Sequence, residues 1–483
     1  ENALLDAYYV KSVTLSGNFT TIESYAFKLT DVSQITSPVF TVSMMSVSKI
    51  ASYAFSGRKD MVNIVLPASV AEIGEYAFYG LDKLSNVAIA QTNGLTKIGK
   101  GAFEGTKWLK EYTGVAKLGK IAIGFGTDYI STGGRTALIP EDFTGVTIIA
   151  PNAFEGNTSL VEIILPSTIT TIGRHAFRNC INLRKIDIPV QCESLGADML
   201  SGCYNLNEMR IGLSNDLHPL FGTSSYANSY SVTRDEDEYY FPSAFIKLTL
   251  LADDTTVIRK GRFNGLGSIT TLILGDGITK IYDEAFADCA MLNSVTVPSS
   301  LTEIGALEDP EDNRMGVFRN CPLLATLNIP VVSSLEFIGA YAFKDTVLQS
   351  VQIPATVTEI GDYAFANTRL TSLIFMAGAR PLTIGKAAFY GITTLGGSGL
   401  NLIFPSNLVK IDDEAFYGNT LLTRVTLNGS LTDLGKYVFA NCDLREFTLP
   451  AGVSLYDEED YCLVYGLLQN NRNLTSLTLY NGI

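Results

Sequence analysis

Residues 154–177 read Phe154-Glu155-Gly156-Asn157-Thr158-Ser159-Leu160-Val161-Glu162-Ile163-Ile164-Leu165-Pro166-Ser167-Thr168-Ile169-Thr170-Thr171-Ile172-Gly173-Arg174-His175-Ala176-Phe177. The Phe returns after 177 − 154 = 23 residues, and self-similarity at a fixed period of this size marks a stacked-repeat architecture. Most of the chain is this stretch rewritten. Leu160, Ile163 and Leu165 alternate with Val161 and Ile164, the period of a short strand with one buried face. Pro166 lacks an N–H and ends that strand. Thr168 to Ile172 is a second β-prone run, apolar at Ile169 and Ile172, and Gly173 permits a sharp corner. Ala176 lies four residues beyond Ile172, so a single helix-like turn is expected to return Ala176 and Phe177 to the core.

The position two residues after each Phe is occupied by Gly57, Gly80, Gly105, Gly156, Gly265, Gly391 and Gly418. In other copies it is Asn179, Asn320, Asn367, Asn441, Asp288 or Asp345. These residue types tolerate a left-handed backbone. A turn with positive φ is therefore predicted there.

The rest of the chain extends the pattern. Early copies close at Ala26-Phe27 and Ala54-Phe55, and tighter ones at Ala77-Phe78 and Ala102-Phe103. Residues 106–150 depart from it, with the only Trp, Trp108, a Gly-rich apolar piece from Leu118 to Gly126, and one degenerate coil at Leu138-Ile139-Pro140 and Phe143. Trp108 is expected to pin this insertion to the core. Regular coils resume through Phe177 to Met199, which replaces the Phe. A second departure, residues 213–256, carries Tyr226, Tyr230, Tyr239 and Tyr240 and the acidic run Asp235 to Glu238. Its plain reading is a solvated loop, although long insertions on repeat proteins often map to the binding face. Coils continue at Phe263, Phe286, Phe318, Phe343, Phe365, Phe389, Phe416 and Phe439. No low-complexity linker interrupts them, so one continuous solenoid over residues 1–483 is expected. The fold class is a repeat solenoid, mainly β with short helical turns.

Composition limits the function. Hydrophobic residues make up 46% and charged residues 17% of the 483, which describes an ordered chain. A net charge of −14 argues against nucleic acid or an anionic membrane as the main partner. No apolar run reaches the length of a membrane span. The chain opens at Glu1 without Met, so processing or trimming is expected, with any signal or anchor outside it.

The resemblance that these residues carry is to the BspA-like leucine-rich repeats of bacterial surface proteins. The motif stands as Ile172-Gly173, Ala176-Phe177, Asn179-Cys180, Leu183, Ile186 and Ile188-Pro189, and again from Ile360 onward. The insertions resemble elongated repeats of that family, as at Gly105-Thr106-Lys107-Trp108 and Phe221 to Tyr226. The resemblance implies a leucine-rich-repeat right-handed superhelix, secreted or anchored at the surface of a host-associated bacterium. It further implies adhesion or protein binding as the role, with no catalytic residue or cofactor to carry over.

Candidate chemistry is sparse. His175 reads as exposed turn filler, and His218 has no Cys or His at metal spacing. Neither is nominated as the base of a nucleophilic triad. Cys180, Cys289, Cys321 and Cys442 sit three residues after a repeat Phe, and Cys192 takes the slot of Ile169 one turn earlier (192 − 169 = 23). They read as free, small buried hydrophobes; the alternative is a bridge between stacked neighbours such as Cys180 and Cys203. A solenoid polysaccharide-degrading enzyme would need carboxylates on successive coils at one register. The middle of the first strand runs Ile164, Asp187, Arg210, Ile273, Thr296, Asn328, Gln352 and Ile374. One Asp is not a site, and no metal or cofactor is expected.

What remains is surface. Arg184, Lys185 and Asp187 on one coil, then Glu208 and Arg210 on the next, form the most chemically varied patch, immediately before the Tyr-rich insertion. Strands about 4.8 Å apart would make them one cluster. As a salt-bridged surface it would contribute little energy; as a binding surface it would combine with Tyr226 and Tyr230. The expected function is a monomeric, non-enzymatic extracellular binding or adhesion module for a protein or glycan on a host or neighbouring cell surface. The alternatives are a self-associating spacer or the polysaccharide-degrading enzyme.

Overall fold

A computed structural model describes residues 3–34, 39–90, 94–126, 136–223, 225, 229–234, 237–307, 315–397, 399–453 and 466–480. These residues fall into two compact units, Glu1–Phe245 and Ile246–Ile483. Each is a right-handed, mainly β solenoid in which the regular coils supply a first strand, a second strand and a turn.

Glu162–Ile164 shows how one coil forms. Ile163 is fully buried while Glu162 and Ile164 are half-buried, so one face of the strand enters the core. Glu162–Ile164 pairs in parallel with Lys185–Asp187, and that strand with Glu208–Gly212, residue for residue at 23-residue spacing. The second strand is shorter than the β-prone run predicts: only Thr171–Ile172 pairs, between Ile148–Ile149 and Ser194–Leu195. In the second unit, second strands pair in parallel from Val257–Ile258 to Asp433–Leu434, with register shifts at Ile281/Tyr282 and Leu382/Thr383.

The turn differs from a helical one. Ala176 N, Arg178 N and Cys180 N donate within the coil to the carbonyls three residues back. His175 N, Phe177 N and Asn179 N donate instead to Ala197, Met199 and Ser201 of the next coil. Backbone N–H groups thus point alternately inward along the chain and across the stack. Two positive-φ residues per coil produce this alternation: Asn179 (φ 57°), at the predicted position, and His175 (φ 60°). Each is the third residue of a four-residue turn, where type II geometry requires φ > 0. All thirteen predicted Gly, Asn and Asp positions have positive φ. Gly173, by contrast, makes no positive-φ corner. A Cβ on it would lie 2.4 Å from Pro151 N and 2.7 Å from Ala150 C, so glycine is required by the close approach of the preceding coil.

The core is a column of stacked rings. Phe343, Phe365 and Phe389 have centroids 5.2 Å apart and planes within 12°, and all are fully buried. Such offset stacking adds about 0.5–1.5 kcal/mol per pair beyond burial. Phe27, Phe55, Phe78 and Phe103 repeat the arrangement in the first unit.

Both insertions add an antiparallel hairpin. Val115–Leu118 pairs with Ile121–Phe125, and Ala137–Leu138 then restores the parallel register with Glu162–Ile164. Trp108 sits on the short helix Lys107–Lys110, packed edge-on to Phe103 and Tyr112, which is the pinning role expected of it. The second insertion corrects the loop reading. Ser229–Arg234 pairs with Asp237–Pro242, placing Asp237 and Glu238, still exposed, in a strand rather than a loop; Asp235 and Glu236 lie outside the described residues. Alternating Tyr239 and Phe241 against Val232 and Tyr230 is a strand pattern that the adjacent charge run obscured.

Candidate functional site

The first strands of three consecutive coils bring charged residues into one ladder. Register places Glu162, Lys185 and Glu208 in one row and Ile164, Asp187 and Arg210 in the next. Lys185 Nζ donates to Glu162 Oε1 at 2.7 Å, and Arg210 Nη1 donates to Asp187 Oδ2 at 3.0 Å and Oδ1 at 3.3 Å. The hydrogen bond to Glu162 raises the Lys185 pKa, with Glu208 and Asp187 adding to it. Lys185 is therefore charged throughout the neutral range. These pairs are solvent-accessible, so each contributes at most about 1 kcal/mol to stability.

Arg184 enters the same strand one residue earlier and is exposed. Its carbonyl accepts from Asn207 N and Glu208 N, which fixes its backbone. Its guanidinium has no ion-pair partner among the described residues. The patch therefore holds three carboxylates and three cations, one of them uncommitted. Glu162 is a member that the residues singled out from sequence omit; the same spacing, 185 − 162 = 23, points to it.

The aromatic members are placed differently. Tyr230 lies within the hairpin, stacked on Phe241 at 5.6 Å. Tyr226 lies outside the described residues. In the rest of the middle column Ile273 pairs with Thr296, Thr296 with Asn328, and Gln352 with Ile374, but Thr249, which the column read from sequence omits, stands in register before Ile273. Asn328 Nδ2 donates to Thr296 Oγ1 at 3.2 Å, so these amides serve the ladder itself.

His175 is not the exposed filler expected from sequence. It is partly buried, adopts positive φ, and its Nε2 lies 3.4 Å from Asp198 Oδ2. His218 is buried, its Nδ1 2.9 Å from Asp216 Oδ1, with Tyr239 and Phe241 edge-on around it. The six described cysteines are free and buried, and Cys462 lies outside the described residues. Five have a role beyond filling space. Cys180, Cys203, Cys289, Cys321 and Cys442 each donate Sγ–H to the Phe carbonyl of the preceding coil, at 3.2–3.5 Å. Asn471 serves the Phe439 carbonyl from the same slot. Thr106, Thr346 and Thr368 in the same slot donate instead to the Phe carbonyl of their own coil, so the choice of Cys, Asn and Thr there is the signal of a hydrogen-bonding position rather than an apolar one. Among the described residues no three His, Cys, Asp or Glu converge to hold a metal, and no helix is long and apolar enough to cross a membrane.

The family model for the BspA type leucine rich repeat region (6 copies) matches residues 1–123, 139–234, 236–307, 313–398 and 383–482. Among curated proteins none matches. Solved structures that resemble the chain do so at low identity and low TM-score. A leucine-rich repeat protein from Bacteroides ovatus is 20% identical, with 97% of this chain and 84% of that chain covered and a TM-score of 0.34. A leucine-rich repeat protein from Eubacterium ventriosum is 17% identical, with 97% and 95% covered and a TM-score of 0.28. A leucine rich cell surface protein from Faecalibacterium prausnitzii is 20% identical, with 89% and 91% covered and a TM-score of 0.24.

Proposed function

The chain belongs to the BspA-type leucine-rich repeat family, and from that premise we propose that it is a non-enzymatic binding or adhesion protein. It acts outside the cell, secreted or held at a bacterial surface, and engages a protein or glycan of a host or neighbouring cell. Leucine-rich-repeat solenoids commonly bind through an extended surface of stacked strands.

The observation that carries the reading is the Glu162–Lys185–Glu208 and Asp187–Arg210 ladder with the uncommitted Arg184 beside it. Repeat folding needs only small or polar side chains at these outward positions, as Thr296 and Asn328 show. Long charged side chains lose rotamer entropy when held there and return little stability. A role in recognition accounts for them, since paired charges fix partner orientation and encounter rate.

The test is saturable binding of the whole chain to an immobilised panel of extracellular-matrix proteins and glycans. Binding to one class, weakened by salt, supports the proposal. No binding across the panel, together with a mass that rises with concentration in ultracentrifugation, would favour a self-associating spacer.

A further inference from the structure

Two pairs of thiols stand on successive coils, Cys180 with Cys203 and Cys289 with Cys321, and the second pair has a groove beside it. Register at this pair is tight. Asp288 N donates to Arg319 O at 2.8 Å, and Asn320 Nδ2 to Asp288 Oδ1 at 2.7 Å. Backbones stacked in this way lie about 4.8 Å apart, inside the Cα separation of roughly 4.4–6.8 Å that a disulfide spans. The Sγ of Cys321 already crosses the gap: it donates to Phe286 O, in the turn that carries Cys289, at 3.2 Å. The Sγ of Cys289 points on to the coil before, donating to Phe263 O at 3.5 Å. Turning Cys289 about χ1, away from Phe263, brings its sulfur toward that of Cys321 and leaves the backbone in place.

Access distinguishes the two members. Cys289 is fully buried. Hydrogen bonding with the Cys321 thiol, then burial, hold it well above the ordinary thiol pKa, so it is protonated at neutral pH. Cys321 instead lines a groove of about 600 Å³ with Met315, Arg319, Pro322, Tyr341 and Lys344. A water molecule takes up roughly 30 Å³, so a small oxidant has room to reach this sulfur.

We infer that Cys321 and Cys289 form a reversible oxidation site, in which hydrogen peroxide entering the groove converts the pair to a disulfide. The Cys321 sulfur attacks one peroxide oxygen. The O–O bond breaks, the S–O bond of a sulfenic acid forms, and the thiol proton leaves with the other oxygen as water. The Cys289 sulfur then attacks the Cys321 sulfur. The S–S bond forms, the S–O bond breaks, and the Cys289 proton leaves with the hydroxyl as a second water. The two thiols give up two electrons in total, and the peroxide takes them. The bridge ties together the coils of Phe286 and Phe318, which are otherwise joined by hydrogen bonds and ring stacking. The site lies in the second unit and does not rest on the binding role proposed for the charged ladder.

The experiment treats the folded, reduced full chain with hydrogen peroxide, quenches it in denaturant containing N-ethylmaleimide, and maps the cysteines by peptide mass spectrometry. The expected result is a cross-link between the peptides of Cys289 and Cys321 that dithiothreitol removes. Cys180 and Cys203, both fully buried, are expected to be alkylated. In the Cys289→Ser variant the sulfenic acid has no partner, and dimedone is expected to label Cys321. Unchanged circular dichroism checks the fold of this variant. Alkylation of both Cys289 and Cys321 after peroxide would overturn the assignment, as would sulfinic acid at Cys321 without a cross-link, or a cross-link from Cys321 to another cysteine. An unlabelled Cys321 in the variant would overturn it as the point of attack. Equal bridging of Cys180 to Cys203 would overturn the groove as the feature that selects the pair.

Discussion

At Gly156 the backbone has φ of 71°, and nothing lies within 4 Å of where a Cβ would stand. At Gly173 the conformation is ordinary, but the space is taken by Pro151 N at 2.4 Å. The two glycines therefore fail differently when replaced. Gly156→Asn is expected to be tolerated, and Gly156→Val to lose about 2 kcal/mol in reversible denaturation, because a β-branched residue is poor at positive φ. Gly173→Ala, harmless in an ordinary turn, is expected to lose about 3 kcal/mol through overpacking. Equal stabilities of the two Gly156 variants would remove the left-handed turn. A neutral Gly173→Ala would remove the close approach. The Gly156 column was legible because Gly, Asn and Asp share one property. The second column was not, because Tyr363, Glu414 and His175 are held at positive φ by the stack rather than by their own preference.

The cysteines yield a second residue-level prediction. Burial pushes the thiols of Cys180, Cys192 and Cys442 up to about 12. An unfolded thiol titrates near about 8.5. Below that pH both states are protonated and the thiols give no pH dependence. Above it the unfolded chain gives up protons that the folded chain keeps, so stability falls as pH rises toward 12, by up to about 1.4 kcal/mol per thiol per pH unit. Melting of wild type and of the Cys180→Ala, Cys442→Ala variant at pH 8 and pH 10, under reductant, checks this. Wild type is expected to lose more between the two pH values; identical losses would contradict burial of the thiols.

At the scale of elements, the ring column and the strand register carry the fold. Phe365 is fully buried between Phe343 and Phe389. Phe365→Ala is expected to cost roughly 3–5 kcal/mol, and a loss below about 1 kcal/mol would show that the column is not packed. Coil register was readable directly: a 23-residue offset predicts that Asp187 pairs with Arg210, and it does. The hairpin Ser229–Arg234 with Asp237–Pro242 was not readable as strand. Asp237 and Glu238 open its second strand, and a run of Asp and Glu reads from sequence as solvated loop.

At the scale of the whole molecule, two solenoid units of the BspA-type family carry distinct surfaces. The first presents the balanced ladder and Arg184. Repetition explains why the architecture was legible and the function less so. Every coil repeats what folding needs, and the proposed recognition rests on the few side chains that depart from it. The most direct measurement of that claim is equilibrium binding to a ligand found in the panel. It compares wild type, the Arg184→Glu, Arg210→Glu variant, and the single Arg424→Glu control, whose arginine pairs with Glu446 on a first strand of the second unit. The account predicts at least a tenfold loss of affinity, about 1.4 kcal/mol, for the double variant with nearly unchanged melting, and no loss for the control. Affinity untouched by both changes, or lowered equally by both, would contradict it.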